Sequence, residues 1–193
     1  MMAEAGRLET LFKEYQVWFL TQIGAFIMGL MLVIDPKNWK ALTPYSGYFA
    51  VGFLITTLAL HPLKKLLPRW MLITKLNRYR QEFGVAVFSF ATIHMICFII
   101  KRGSIMKTLP YALHPAIGPV LLVAYPILFF LAISSNQYSV KKLTFVKWKK
   151  LHRYVYLAEA AIILHMILVR EKFWATVLFT PLVMLQFIRI MKK

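Results

Sequence analysis

The sequence predicts an all-α, polytopic membrane protein: a bundle of six transmembrane helices with both termini in the cytoplasm. Hydrophobic residues make up 60% of the 193-residue chain and charged residues only 16%, whereas about a quarter of the residues in a soluble domain are charged. The apolar residues form runs of the roughly 17–25 residues that cross a bilayer. The basic residues, which give a formal charge of +17, lie between those runs. This composition excludes a soluble enzyme, a disordered chain and a disulfide scaffold.

Six apolar runs are predicted to span the membrane, and both faces of each are apolar, as helices in lipid allow. They are Val17–Ile34, Tyr45–Leu60, Glu82–Ile100, Tyr111–Ile133, Leu151–Val169 and Phe173–Ile190. Because the loops between them are short, we expect a single transmembrane domain over residues 17–190. A cytoplasmic N-terminal segment of residues 1–16, without a signal peptide pattern, precedes it, and a cytoplasmic tail of residues 191–193 follows.

The basic residues are distributed unevenly between the two sides of these spans. Seventeen of the 24 Lys and Arg residues lie in the N-terminal segment, around the second and fourth loops, or at the C-terminus. The positive-inside rule places that side in the cytoplasm. In so apolar a chain the charge indicates topology and contact with lipid headgroups, and no nucleic-acid partner is expected.

Two histidines are predicted to lie at the same depth in the membrane. His94 in the third span and His165 in the fifth both fall roughly 18–21 Å from the cytoplasmic edge. Titratable residues inside a span are costly and usually functional, and two imidazoles at one level can bind a haem iron from both sides. The alternative is that each histidine only forms a hydrogen bond between helices. Met95 and Met166 are further candidate ligands, although packing roles suit them better.

A second set of candidates lies near the cytoplasmic face. His152 precedes His165 by about 20 Å of helix, a spacing that suits two stacked haems, but an ideal helix turns the two rings about 140° apart. Both histidines could therefore bind stacked haems only if the helix were kinked or the haems were offset from each other. The corresponding position on the third span is Arg80, which stays protonated and therefore suits a haem propionate better than iron. His61 could supply the missing inner ligand, or it is simply an interfacial residue.

Three further residues are noteworthy. His114 is expected at the outer interface, where it could also contact a haem propionate or a periplasmic partner. Because Cys97 is the one cysteine, no intrachain disulfide is expected, and without a C-x-x-C-H motif no thioether-attached haem is expected. Glu159 is a rare carboxylate near mid-membrane. It could bond to a histidine, move protons, or pair with a polar group on another helix.

The pattern of residues from about Tyr45 to Val169 resembles the ferric-reductase-like transmembrane haem domain family. Within that family it is most similar to the haem-binding membrane subunits of bacterial periplasmic protein-methionine-sulfoxide reductase systems. The residues that carry the resemblance are Ser46-Gly47, Leu58-Ala59-Leu60-His61-Pro62-Leu63, Arg80 to Gly84, His94, Pro110-Tyr111, Leu131-Ala132-Ile133-Ser134-Ser135, Trp148, Leu151-His152-Arg153-Tyr154 and His165.

The resemblance implies one or two haems b, with His94 and His165 as iron ligands and with His152 and Arg80 near the cytoplasmic face. It allows for a bound flavin, FMN. It also implies a multi-pass protein of the bacterial inner membrane that carries electrons from a cytoplasmic flavin reductase to a periplasmic molybdenum-dependent reductase of oxidised methionines. Such a chain is expected to be an electron-transfer subunit of an oxidoreductase system, and no substrate site of its own is evident from the sequence.

Two other functions are consistent with the sequence. A small transporter or proton channel could use His94, Glu159 and His165 as a relay, and a structural membrane subunit would need no cofactor. The colour of the purified protein discriminates between them, because only a haem protein shows a reducible Soret band.

Overall fold

The computed structural model describes residues 2–191, with side chains from residue 15 onward. Parts of the predicted N-terminal segment, residues 1–16, and of the predicted tail, residues 191–193, lie outside the described residues. The described chain is helical and contains no strand. Its α-helices are α1 (Met2–Ile34), α2 (Trp39–Leu66), α3 (Met71–Leu76), α4 (Arg80–Arg102), α5 (Ile105–Thr108), α6 (Tyr125–Ile133), α7 (Gln137–Leu143), α8 (Phe145–His152), α9 (Val155–Leu168) and α10 (Lys172–Met191). Short 3-10 segments at Pro36–Asn38, Asn77–Tyr79 and Leu109–Leu113 and a π-helical segment at Pro119–Ala124 join them.

Five helical segments of the described chain are long and apolar enough to cross a membrane. They are Tyr15–Ile34, Pro36–Leu66, Met71–Arg102, Phe145–Leu168 and Lys172–Met191. A sixth span is present if Pro119–Ile133 and Gln137–Leu143, which meet at a bend of 97°, count as one. The all-helical membrane fold is therefore confirmed, with five or six spans, and the side on which the termini lie remains a prediction.

The fourth span differs most from its prediction of Tyr111–Ile133. It ends at Ile133 as expected, but continuous helix begins only at Pro119, after a 3-10 turn and a bend. Pro115 and Pro119 lack the backbone N–H that a helical ladder needs, which explains the irregular chain before the helix. Fifteen helical residues rise about 22 Å, less than the roughly 30 Å of a hydrocarbon core. We call the irregular residues 109–118 the 109–118 loop.

The fifth predicted span, Leu151–Val169, is broken near its beginning. Helix α8 ends at His152, residues 153 and 154 form a turn, and α9 begins at Val155. The break falls between His152 and His165, where an unbroken helix would have turned the two rings apart. The two histidines therefore lie on separate helices of one span.

Helices α2 and α4 form the centre of the bundle and run antiparallel, since Thr43 lies beside His94 and Thr57 lies beside Arg80. One buried cluster joins this pair to α6, α9 and α10 through residues such as Leu54, Leu58, Val87, Leu128, Ala158 and Phe179. A second cluster joins it to α1 through Ala25, Leu32, Leu42, Ala86, Phe90 and Cys97. Many large apolar side chains remain on the outer surface, as expected of helices that face lipid.

Candidate functional site

The imidazole rings of His94 on α4 and His165 on α9 lie close together inside the bundle. Their ring centroids are 6.5 Å apart, and the ring planes are nearly perpendicular at 84°. The sequence predicted a common depth for these two residues. The structure brings them together from helices that are far apart in the chain.

Both imidazoles are oriented by backbone carbonyl groups. Nδ1 of His94 lies 2.9 Å from the carbonyl oxygen of Thr43, and Nδ1 of His165 lies 2.6 Å from that of Ala116. A carbonyl oxygen only accepts hydrogen bonds, so each Nδ1 carries the proton and donates it. Each Nε2 then carries a lone pair, and within residues 15–191 neither Nε2 takes part in a hydrogen bond. Histidine ligands of metals are typically held in this way, with the second nitrogen donating to a carbonyl.

The separation of the two rings fits one metal between them. An imidazole nitrogen binds such a metal at about 2.0–2.1 Å, and the ring centroid lies roughly 1.1 Å behind it, so two opposed rings have centroids about 6.3 Å apart. The observed 6.5 Å is close to that value. No group of three or more His, Cys, Asp or Glu side chains in the described part of the chain could hold a metal ion. Two imidazoles at this separation would suit a cofactor that takes two histidine ligands, as haem iron can.

His152 lies at the other end of the same span in a different setting. Its Nε2 is 3.2 Å from the hydroxyl oxygen of Ser134, and its ring packs on the Trp148 indole with centroids 4.1 Å apart. The Trp148 indole N–H also donates to the carbonyl oxygen of Ser134 at 2.9 Å. Ser134 and Trp148 thus hold His152 in place. Unlike the other two histidines, it has its Nε2 already paired.

Arg80 lies close to His152 at this end of the bundle, which we call the basic end and define by Arg80, His61, His152 and Arg189. The Nε–H of Arg80 donates to the carbonyl oxygen of Thr57 at 3.0 Å. Its charge interacts with His152 and His61, and Arg189 of α10 interacts with His61 and Arg80. The sequence predicted Arg80 and His152 as site residues and left the role of His61 open, and Arg189 is an addition from the structure. The charges suit an anionic ligand group.

Glu159 pairs with a polar residue on another helix, one of the three roles considered from the sequence. It is only 4% exposed. The side-chain amide of Gln186 on α10 donates to its two carboxyl oxygens at 3.1 and 3.2 Å. This contact ties α9 to α10 and leaves Glu159 without a hydrogen bond to either His94 or His165.

Several functional groups escaped the sequence analysis because they are backbone atoms or ordinary polar residues. The carbonyl groups of Thr43 and Ala116 have no side-chain signature, and Gln186 was not singled out within the sixth predicted span. Ser134 and Trp148 were named among the residues that carry the family resemblance, but no contact with His152 was predicted for them. Met166 packs in the larger buried cluster, in agreement with its expected packing role.

Comparison with known proteins identifies the family of this chain. Residues 46–164 match the family described as the ferric reductase like transmembrane component. The chain is similar to the protein-methionine-sulfoxide reductase heme-binding subunit MsrQ of Rhizobium meliloti (strain 1021), with 29% identity over 155 residues that cover 78% of this chain and 68% of the relative. No solved structure matches the chain significantly. The chain is a multi-pass membrane protein and belongs to the ferric reductase like transmembrane component family.

Proposed function

We propose that this protein is a membrane cytochrome b subunit that transfers electrons across the bacterial inner membrane. The donor is a cytoplasmic flavin reductase, and the acceptor is a periplasmic molybdenum-dependent reductase that repairs methionine sulfoxide. The name of the Rhizobium meliloti relative supports a haem-binding subunit of such a system. The unequal distribution of basic residues supports this direction, because the positive-inside rule favours a cytoplasmic position for the basic end.

The close pair of His94 and His165 is the observation that carries this proposal. Their ring centroids are 6.5 Å apart, each Nδ1 is bonded to a backbone carbonyl group, and each Nε2 is left as the nitrogen that could bind iron. A haem held there supplies one-electron chemistry inside the bilayer. The chain's own residues bind the iron, fix the ring orientations and exclude water through the surrounding apolar helices.

The basic end is proposed to receive the electrons. Arg80 with its planar donor fork would hold a haem propionate or the phosphate of FMN, and Arg189 adds a second positive charge nearby. A second haem, if bound, would take His152 as one ligand, with the opposite position open or filled by His61. Because Ser134 already pairs with Nε2 of His152, we expect this inner haem to be held more weakly than the outer one.

The alternative of a proton relay through His94, Glu159 and His165 has less support. The carboxyl group of Glu159 is bonded to Gln186, and the two histidine Nδ1 atoms are bonded to carbonyl groups. These bonds connect none of the three residues to another. Proton flux that depends on Glu159 in haem-free proteoliposomes would favour this alternative.

The dithionite-reduced minus oxidised spectrum of the purified protein tests the proposal, combined with haem content per chain from the pyridine haemochrome. We expect a low-spin b-type spectrum with one tightly bound haem, and a second where the inner site is filled. Colourless protein from haem-replete cells would refute the proposed function.

A further inference from the structure

The backbone of Ala116 connects two histidines that lie on different segments. Its N–H donates to Nδ1 of His114 at 3.2 Å, and its carbonyl oxygen accepts from Nδ1 of His165 at 2.6 Å. Ala116 is itself buried, whereas His114 is exposed. The backbone of Ala116 thus links an exposed side chain to a partly buried imidazole.

His114 also accepts further hydrogen bonds through its own carbonyl group. The backbone N–H groups of Ile117 and Gly118 donate to it at 3.0 and 2.7 Å, and the His114 N–H donates to the Tyr111 carbonyl at 3.0 Å. Together with the side-chain bond to Ala116, these bonds close the chain around His114 into a tight turn. The turn holds the Ala116 carbonyl in one direction.

The rest of the 109–118 loop is fixed from both sides. The guanidinium carbon of Arg102 lies 3.9 Å from the centroid of the Tyr111 ring, a cation–π contact. A Cβ added to Gly118 would lie 2.5 Å from the carbonyl oxygen of Ala112, so the two ends of the turn touch. The loop is therefore a packed support and not a loose connection.

We infer that His114 is a positioning residue for His165, acting through the backbone of Ala116. This inference rests on the proposed function, in which His165 is a haem ligand. The His114 side chain acts as a hydrogen-bond acceptor that fixes Ala116, and the Ala116 carbonyl then sets the orientation of the His165 ring. A strong bond from Nδ1–H to a carbonyl also raises the basicity of the ligand nitrogen.

The acceptor role makes a sharp distinction between substitutions at this position. Asparagine can replace the function, because its side-chain oxygen accepts a hydrogen bond from the N–H two residues ahead in an Asx turn. Leucine has a similar size but no acceptor. We therefore expect H114L to loosen Ala116 and weaken the bond to His165, and H114N to preserve both.

The test measures the midpoint potential of the outer haem and its low-spin electron paramagnetic resonance spectrum in the purified protein. A less basic His165 stabilises ferric iron less, so H114L should shift the potential upward and change the spectrum, while H114N resembles the wild type. H114A carries the same expectation as H114L if the latter is not recovered with haem. Leu113→Ala is the matched control, since this neighbouring side chain is 89% exposed and should leave both readouts unchanged.

The outcomes separate this inference from the proposed function. Wild-type protein without haem would refute the proposed function itself. A wild type with low-spin haem and an H114L or H114A variant with the same potential and spectrum would overturn only the role of His114. An equal shift in H114N or in Leu113→Ala would also overturn it, because the effect would then not depend on the acceptor.

Discussion

Gly47 lies directly against the imidazole ring of His94. A Cβ built on Gly47 would lie 3.2 Å from Nδ1 and 3.3 Å from Cε1 of that ring, tighter than ordinary van der Waals contact. Gly47 follows the buried Ser46, whose hydroxyl oxygen is 3.5 Å from the same Nδ1. The Ser46-Gly47 pair thus lets α2 approach α4 closely enough for the Thr43 carbonyl to reach His94.

We predict that Gly47→Ala disturbs the outer haem although alanine favours a helix. In a helix the change is otherwise stabilising by about 0.5–1 kcal/mol, but here the added methyl group pushes against a ring that must keep its position. Haem content should fall or the low-spin spectrum should shift. Gly52→Ala on the same helix is the control, because its Cβ would meet nothing within 4 Å. Identical spectra for both variants would show that the close approach does not matter.

The Glu159 and Gln186 pair is predicted to stabilise the contact between α9 and α10. Glu159→Leu should lower the free energy of unfolding in detergent by about 1 kcal/mol, in the range measured for polar contacts between membrane helices. Gln186→Leu should cost a similar amount. The double variant should lose less unfolding free energy than the sum of the two single losses. The first substitution already breaks the hydrogen bonds between the two residues, so the second cannot break them again. Strictly additive losses in thermal unfolding would contradict the pairing.

The sequence was sufficient to predict the helical membrane fold and the proximity of His94 and His165. Apolar runs of the right length mark spans whatever their tertiary packing, and a titratable residue inside such a run stands out. Counting residues from the cytoplasmic edge was enough to place His94 and His165 at one depth. It also showed that an unbroken helix could not turn His152 and His165 to one face.

The remaining features depend on tertiary geometry that residue types do not encode locally. The break at residues 153 and 154 has no proline or glycine to mark it. The carbonyl groups of Thr43 and Ala116 could not be chosen among all others without knowing which segments pack together. Pro115 and Pro119 did carry a local signal for the late start of the fourth helix. The span was predicted from the length of its apolar run, which does not take these prolines into account.

Arg80 and His152 are predicted to serve electron delivery to the outer haem. Arg80→Lys keeps the charge but loses the planar fork, and His152→Ala removes a ring held by Ser134 and Trp148. Both should slow reduction of the outer haem by a flavin reductase in membranes while leaving dithionite reduction unchanged. Arg78→Lys, at an exposed position nearby, should behave like the wild type. If the flavin reductase reduced the outer haem at the normal rate in both test variants, the basic end would have only a structural role.

The topology is predicted to place the loops Leu63–Gln81 and Ser134–Lys150 in the cytoplasm. A reporter that is active only in the periplasm should be silent when fused at Lys75 or Lys147. It should be active when fused at Lys40 or Lys107. The reverse pattern would put the basic end in the periplasm and make electron transfer toward a periplasmic acceptor untenable.

The most direct measurement of the central claim is the haem content and low-spin spectrum of His94→Ala and His165→Ala, compared with Met95→Leu and Met166→Leu. Each control changes the next residue on the same helix with little change in volume, and also tests methionine as a ligand. We predict that each histidine variant loses the outer haem or retains it in a five-coordinate state, whereas both methionine variants keep the wild-type spectrum. Full haem content with an unchanged low-spin spectrum in both histidine variants would contradict the account.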